Sequence, residues 1–227
     1  SWLKISGQSL FALLAVIVWF YFQPALEFCK QLELGWIAQV YLRNLVLLVV
    51  VAGGLHLYFI TFRKQGKSLK FDPRDISGKG RNFTFNSQAR DNMFWSLASG
   101  VTQWTCYEVL LLWAFANGYA PFLAWADNPV LFLGWFLIIP IWASFHFYWI
   151  HRALHWPPLY RFAHALHHRN INVGPWSGLS MHPLEHLIYL SSVLIHFFIA
   201  SHPIHVFFHM YFNTLGAVTS HSGYEGL

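Results

Sequence analysis

Charge is scarce in this chain. Asp, Glu, Lys and Arg make up 10% of its 227 residues, where an average soluble domain carries roughly 25%, while 56% are hydrophobic. That deficit excludes an ordinary soluble domain and predicts a single helical membrane domain with no separate soluble one. Cysteine is equally sparse, and Cys29 and Cys106 lie too far apart in sequence to suggest a disulfide framework. Internal repeats, coiled-coil heptads and low-complexity tracts are missing. So are a G-x-S-x-G element, a P-loop and a dinucleotide-binding glycine fingerprint, which leaves nucleophilic hydrolysis and nucleotide use without support. The first apolar run lacks a small-residue cleavage site and reads as a retained span, not a signal peptide.

What is present is a series of apolar runs. Residues 10–22 with their flanks give a first span, and 35–62 a second that is interrupted by Arg43. A third runs from about 92 to 119 and carries Glu108, and a fourth covers 130–150. Arg43 and Glu108 fall at similar depth and are expected to form a structural ion pair. After Pro183, two shorter arms meet at Ser201-His202-Pro203 and continue to Val218. They predict a hairpin of tilted or shallow helices that returns His221 toward the earlier histidines. The expected fold class is all-α: a polytopic helical membrane protein of about four full spans plus a shorter helical hairpin. It divides into spans one and two (1–62), a basic loop (63–91), spans three and four (92–150) and a histidine-rich region (151–227).

Lys and Arg number 14 against nine Asp and Glu, and eight of those cations fall between Arg63 and Arg90. Gly66, Pro73, Gly78 and Gly80 break any helix there, and Lys79 and Arg81 add to the charge. The positive-inside tendency places this loop in the cytoplasm and the N-terminus opposite. Arg152, Arg161 and Arg169 place the histidine region on the same side. A basic loop beside apolar spans points to anionic membrane lipid, and no nucleic acid partner is expected.

Eight of the 14 histidines lie between His146 and His186. His151 and His155 are four apart and share a helix face, as do His164, His167 and His168. Five imidazoles from two adjacent helices can therefore converge on one pocket. Neutral imidazole suits iron, zinc, copper or nickel, and no cysteine accompanies these boxes to favour a thiolate site. His146 is rotated away from the 151/155 face and can only support a ligand from behind. His182 and His186 share a face, with Glu185 beside them, but Pro183 marks a helix start where a histidine also serves as a cap or pocket wall. Lone cases such as His56, His196 and His209 read as interfacial or hydrogen-bonded core residues. The order His-Pro-Leu-Glu-His is not H-E-x-x-H, so a zinc-protease reading fails.

These elements, His151-Arg152-x-x-His155, His164-x-x-His167-His168, His182-Pro183-x-Glu185 and His221-Ser222-Gly223-Tyr224-Glu225, resemble the fatty acid hydroxylase and sterol desaturase superfamily of membrane di-iron oxygenases. The resemblance covers about 145–225 and lies closest to the sterol-oxidising branch. It implies two iron ions at the cytoplasmic end of a helical scaffold, with zinc a substitute occupant in a purified protein. It further implies O2 as co-substrate, an external electron-donor protein, and hydroxylation or desaturation of a lipid, sterol-like ahead of acyl or alkyl. By the same resemblance His151, His155, His164, His167 and His168 are ligands that act through the metals. His221 is a further ligand, and Glu225 a ligand or a supporting partner. Members of the family carry a final H-x-x-H-H box after His-Ser-Gly-Tyr, and the remaining ligands are expected beyond Leu227. Two other classes compete: a histidine-rich metal transporter, and a non-catalytic accessory subunit with an incomplete site. Oligomeric state is not legible.

Overall fold

The computed structural model describes the backbone of residues 2–67, 69–76 and 82–225, and the side chains from Gly7 onward. Gly78, Lys79, Gly80 and Arg81 of the basic loop, and Leu227, lie outside the described residues. Among the described residues the chain is all-helical, with two isolated β-bridges and no strand.

Helix α1 spans Trp2–Tyr21 and α2 spans Leu34–Thr61, the latter widened by π turns at Val49–Gly53 and Leu57–Thr61. Helix α3 runs over 88–116 with a π turn at Ser96–Val101. Helix α4 covers Pro129–Leu154; Asn128 caps it by accepting from the Leu131 N–H at 2.9 Å, and Pro129 suits the first turn. Trp156 and Pro157 reverse the chain into α5, 157–168. A 3-10 turn at Pro175–Leu179 leads to α6, Pro183–Leu190, which continues as a 3-10 stretch over Ser191–Phe197. Helix α7, Pro203–Ser220, closes the described fold.

Of the four spans expected, two helices are long and apolar enough to cross a membrane, Leu34–Thr61 and Pro129–Leu154. Their outward faces expose Leu42, Val46, Val50, Leu133, Leu137 and Ile141, as lipid-facing surfaces do. The apolar part of α1, Gly7–Tyr21, is shorter. Helix α3 is long but lines its inner face with Ser96, Ser99, Thr105 and Glu108, all buried.

The expected shallow hairpin is where the structure differs most. Its second arm, α7, is the central post of the bundle, packed by α1, α3 and α4. Val206, Phe207, Phe208, Met210, Tyr211, Leu215 and Val218 are fully buried on it, and His205, His209, Asn213 and Thr214 are buried with them, so protein covers it nearly all round. The Pro175–Leu179 turn presses on its last turns. A Cβ at Gly178 would stand 2.3 Å from the Ala217 carbonyl oxygen, so only glycine allows that approach.

Arg43 and Glu108 pair as expected, tying α2 to α3. Asn44 Oδ1 accepts from the Arg43 guanidinium at 3.1 and 3.2 Å, Trp104 Nε1 donates to Glu108 at 2.7 Å, and Gln23 Oε1 takes a third guanidinium hydrogen at 3.0 Å. At the opposite end, the basic loop lies against the C-terminal segment. Phe71 N donates to Gly223 O at 3.1 Å and Glu225 N to Leu69 O at 2.8 Å. Arg169 bonds Asp91, and Gln88 Nε2 reaches Asn172 O at 2.7 Å, fastening α5 and its following loop to the start of α3.

Candidate metal centre

Four imidazoles meet where α4 ends and α5 folds back. His151 and His155 sit one turn apart, with Nε2 atoms 3.1 Å from each other. His164 and His168 repeat the arrangement on α5 at 2.9 Å. Rings from the two helices approach to between 4.7 and 5.7 Å, and the four ligand atoms all lie within 4.8 Å of one another.

These spacings fit a metal ion. With metal–nitrogen bonds of about 2.0–2.1 Å, neighbouring nitrogens on an octahedron or tetrahedron stand about 3 Å apart. Two facing ring nitrogens at that distance share at most one hydrogen, whereas a cation satisfies both lone pairs. His164 is buried, His151 half-buried, and His155 and His168 exposed, so the quartet is held from behind and open in front. An open side is what a catalytic metal needs.

Behind His164 stands Glu185, whose Oε1 is 2.7 Å from His164 Nδ1. Burial pushes the Glu185 carboxyl up to about 8, and its Oε2 has no partner.

His167 turns away from the quartet. His167, about 100° round the helix from its neighbour His168, packs instead on His221, with ring centres 5.4 Å apart. His167 Nδ1 faces the Ser180 carbonyl at 3.3 Å and His221 Nδ1 faces the Ala217 carbonyl at 2.9 Å. A carbonyl only accepts, so both Nδ1 atoms carry hydrogen and both Nε2 atoms keep a lone pair. Burial, with His221 alongside, pushes His167 down to about 3, and His221 is lowered for the same first reason. Both rings are thus neutral, the form that binds metal.

The remaining candidates are apart. His146 Nε2 meets Ser191 Oγ at 3.1 Å. His182 caps α6, accepting from the Leu184 N–H at 3.2 Å, and its ring packs on Phe162. His186 is buried with Nδ1 2.9 Å from Ser99 Oγ. Glu225 is exposed on the rim of the cavity described next. His196 and His209 bond each other at 3.2 Å in the core, as satisfied interior histidines.

A cavity of about 1410 Å³ adjoins the centre, lined by His151, His167, His168 and His221. It runs along α7 past Phe147, Tyr189 and Phe212, and α1 contributes to its wall. Sequence reasoning did not find the α1 wall or Tyr189, since nothing in their local pattern marks a lining residue.

Fold and site define an all-helical membrane protein with a histidine centre beside an apolar cavity. Residues 136–226 match the model of the fatty acid hydroxylase family, and the curated relatives the chain resembles are sterol desaturases. It is 27% identical over 179 residues to a Delta(7)-sterol-C5(6)-desaturase of Nicotiana tabacum, covering 70% of this chain and 61% of that one. It is 36% identical over 64 residues to the Delta(7)-sterol 5(6)-desaturase ERG3B of Gibberella zeae, 28% of this chain and 19% of that one. With erg3C of Aspergillus fumigatus, a protein of the same description, identity is 47% over 38 residues, 17% and 12% of the two chains. The matched stretches therefore span less than two thirds of these relatives. No solved structure matches the chain.

Proposed function

We propose that the chain forms the metal-binding part of an oxygen-dependent membrane oxidoreductase that hydroxylates or desaturates a neutral lipid. The observation that carries this reading is the quartet His151, His155, His164 and His168, within 4.8 Å, beside a cavity of about 1410 Å³. Two iron ions are the proposed cofactors, one on the quartet and one starting from His167 and His221. Iron bound there supplies the activation of molecular oxygen, with electrons from an external donor protein.

The chain's own residues hold and shield. Glu185 fixes the His164 ring, and Ser180 and Ala217 fix those of His167 and His221. Phe147, Leu154 and Met181 keep water from the lipid carbon to be oxidised. No Lys or Arg is among the described lining residues, so a carboxylate or phosphate would meet no Lys or Arg counter-charge there. That supports a sterol-like substrate ahead of a free fatty acid.

In the bilayer, residues 1–227 act as one integral-membrane domain in which α1 to α4 cross and α6 and α7 form the inner hairpin. The centre faces the cytoplasm, because Lys70 and Arg74 of the basic loop bond to Asn172, directly after α5. A transport path fits less well: Trp104, Trp135, Phe207 and Tyr211 fill the middle of the bundle. The test is metal analysis of the purified full-length protein, then aerobic turnover with reductant and lipid extract. Bound iron and an oxidised lipid are expected. Well-folded protein without metal overturns the proposal, and metal without turnover favours an accessory subunit.

A further inference from the structure

We propose that the lipid reaches this centre sideways from the bilayer, through a slot between α1 and α4, and that α1 sets which lipids pass. The inference rests on the oxidoreductase reading, because it concerns the same cavity.

Helix α1 packs along α7, and among the described residues α1 and α4 make at most slight contact with one another. The cavity occupies the gap. Gly7 and Phe11 line it from α1, and Ser144 and Phe147 from α4. Ser144 lies about 10 Å from His151 along α4, at 1.5 Å of rise per residue, so the slot leads well away from the histidines toward the apolar middle of the bundle.

The slot is apolar at its rim and roomy inside. Leu10 is 63% exposed and Phe147 43% exposed, one on each side. A Cβ at Gly7 would meet nothing within 4 Å, whereas one at Gly216 of α7 would stand 3.7 Å from the Phe11 ring. Phe11 therefore seats α1 on α7, and Gly7 leaves the opening beside it. The other end of the cavity is a poor entrance for a lipid. There Phe71, Tyr224 and Glu225 lie under the strand-like pairing of the basic loop with the C-terminal segment. A lipid using that end would cross a charged, wet surface, while the slot keeps its apolar body out of water throughout.

The occupant is the uncharged lipid substrate itself: the slot is continuous with the histidine-lined chamber, and no Lys or Arg is among the described residues that line either part. Helix α1 lies outside the matched residues 136–226, so the wall that faces α4 is supplied by a part of the chain the family match does not reach.

The experiment uses full-length, metal-loaded protein in lipid nanodiscs and a sterol carrying a photoactivatable diazirine on its apolar tail. Labelled peptides are mapped by mass spectrometry. Labels on residues of α1 and α4 around Gly7, Leu10, Ser144 and Phe147 are expected. Gly7→Trp and Ser144→Trp should each cut that labelling and raise KM by at least about tenfold, as an overfilled site does, with kcat and metal content held. Gly35→Trp, at the exposed start of α2, should behave as wild type. Labels confined to the loop around Phe71 and Ile171, or Trp variants that label normally, overturn the slot. The wild-type map needs no variant to fold. Slot labelling without lipid oxidation would leave the slot standing and defeat the oxidoreductase reading instead.

Discussion

His164 Nδ1 lies 2.7 Å from Oε1 of Glu185, and both groups are sealed from water. With its carboxyl raised to about 8, Glu185 holds a proton at neutral pH in the metal-free protein. A cation at His164 Nε2 requires hydrogen on Nδ1, which then donates to an ionised Glu185. Metal loading and proton release are therefore coupled through this pair.

Glu185→Ala should weaken metal binding by about 10–100-fold, the usual loss when the partner behind a ligating histidine is removed. Glu185→Gln keeps an acceptor for Nδ1–H and should lose less. Competition with a chelator of known affinity measures both, and unchanged affinity in the Ala variant would remove Glu185 from the site.

The sign of the pH response follows from two shifts on α5 and α6. His167, lowered to about 3, is neutral in the fold while its unfolded counterpart, with a pKa of about 6.5, takes up a proton. Metal-free protein thus loses stability as pH falls from about 6.5 toward 3. Glu185, raised to about 8, works in reverse and costs stability as pH rises from its unfolded value of about 4.3 to 8. Metal-free Glu185→Gln should therefore hold its stability between pH 6.5 and 8, where wild type declines. Denaturant titrations across that range decide it, and parallel curves would reject the assignment.

Position within the cluster predicts a contrast between two histidine substitutions. His168→Ala removes a ligand atom from the quartet and should abolish activity and one metal position, with membrane insertion intact. His182→Ala removes a helix cap and should cost about 1 kcal/mol of stability while metal content is kept. Metal loss of equal size in both variants would mean that the quartet is not the binding unit.

The sequence made some of this arrangement legible and hid the rest. His151 and His155 were readable because α4 stays regular through its last turns, so four residues apart means the same face. His167 was not, because it stands about 100° round the helix from His168 and its partners, Ser180 and His221, are distant in sequence. The all-helical class followed from composition. The central place of α7 did not, since an apolar run of that length is consistent with a shallow membrane helix or a buried one, and only the packing of α1, α3 and α4 around it decides. His182 as a cap was one of two roles open from Pro183, and the contact with the Leu184 N–H selects it.

The Arg43 and Glu108 pair offers the last test. Both are buried, and every guanidinium nitrogen has an acceptor: Asn44 for Nε and Nη2, Gln23 for Nη1, and Glu108 for Nη2. Removing one partner leaves the other charge uncompensated in a low-dielectric interior, so Glu108→Ala should destabilise the bundle by about 3–5 kcal/mol. Replacing both by apolar residues, Arg43→Met with Glu108→Leu, removes the burial cost with the attraction and should recover most of that loss. Metal content and KM should stay at wild-type values in the double variant, because the pair ties α2 to α3 and is bonded to none of His151, His155, His164 and His168. Thermal unfolding in detergent reads the stability. A double variant no more stable than Glu108→Ala, or one that folds well but loses turnover, would give this pair a role beyond holding two helices together.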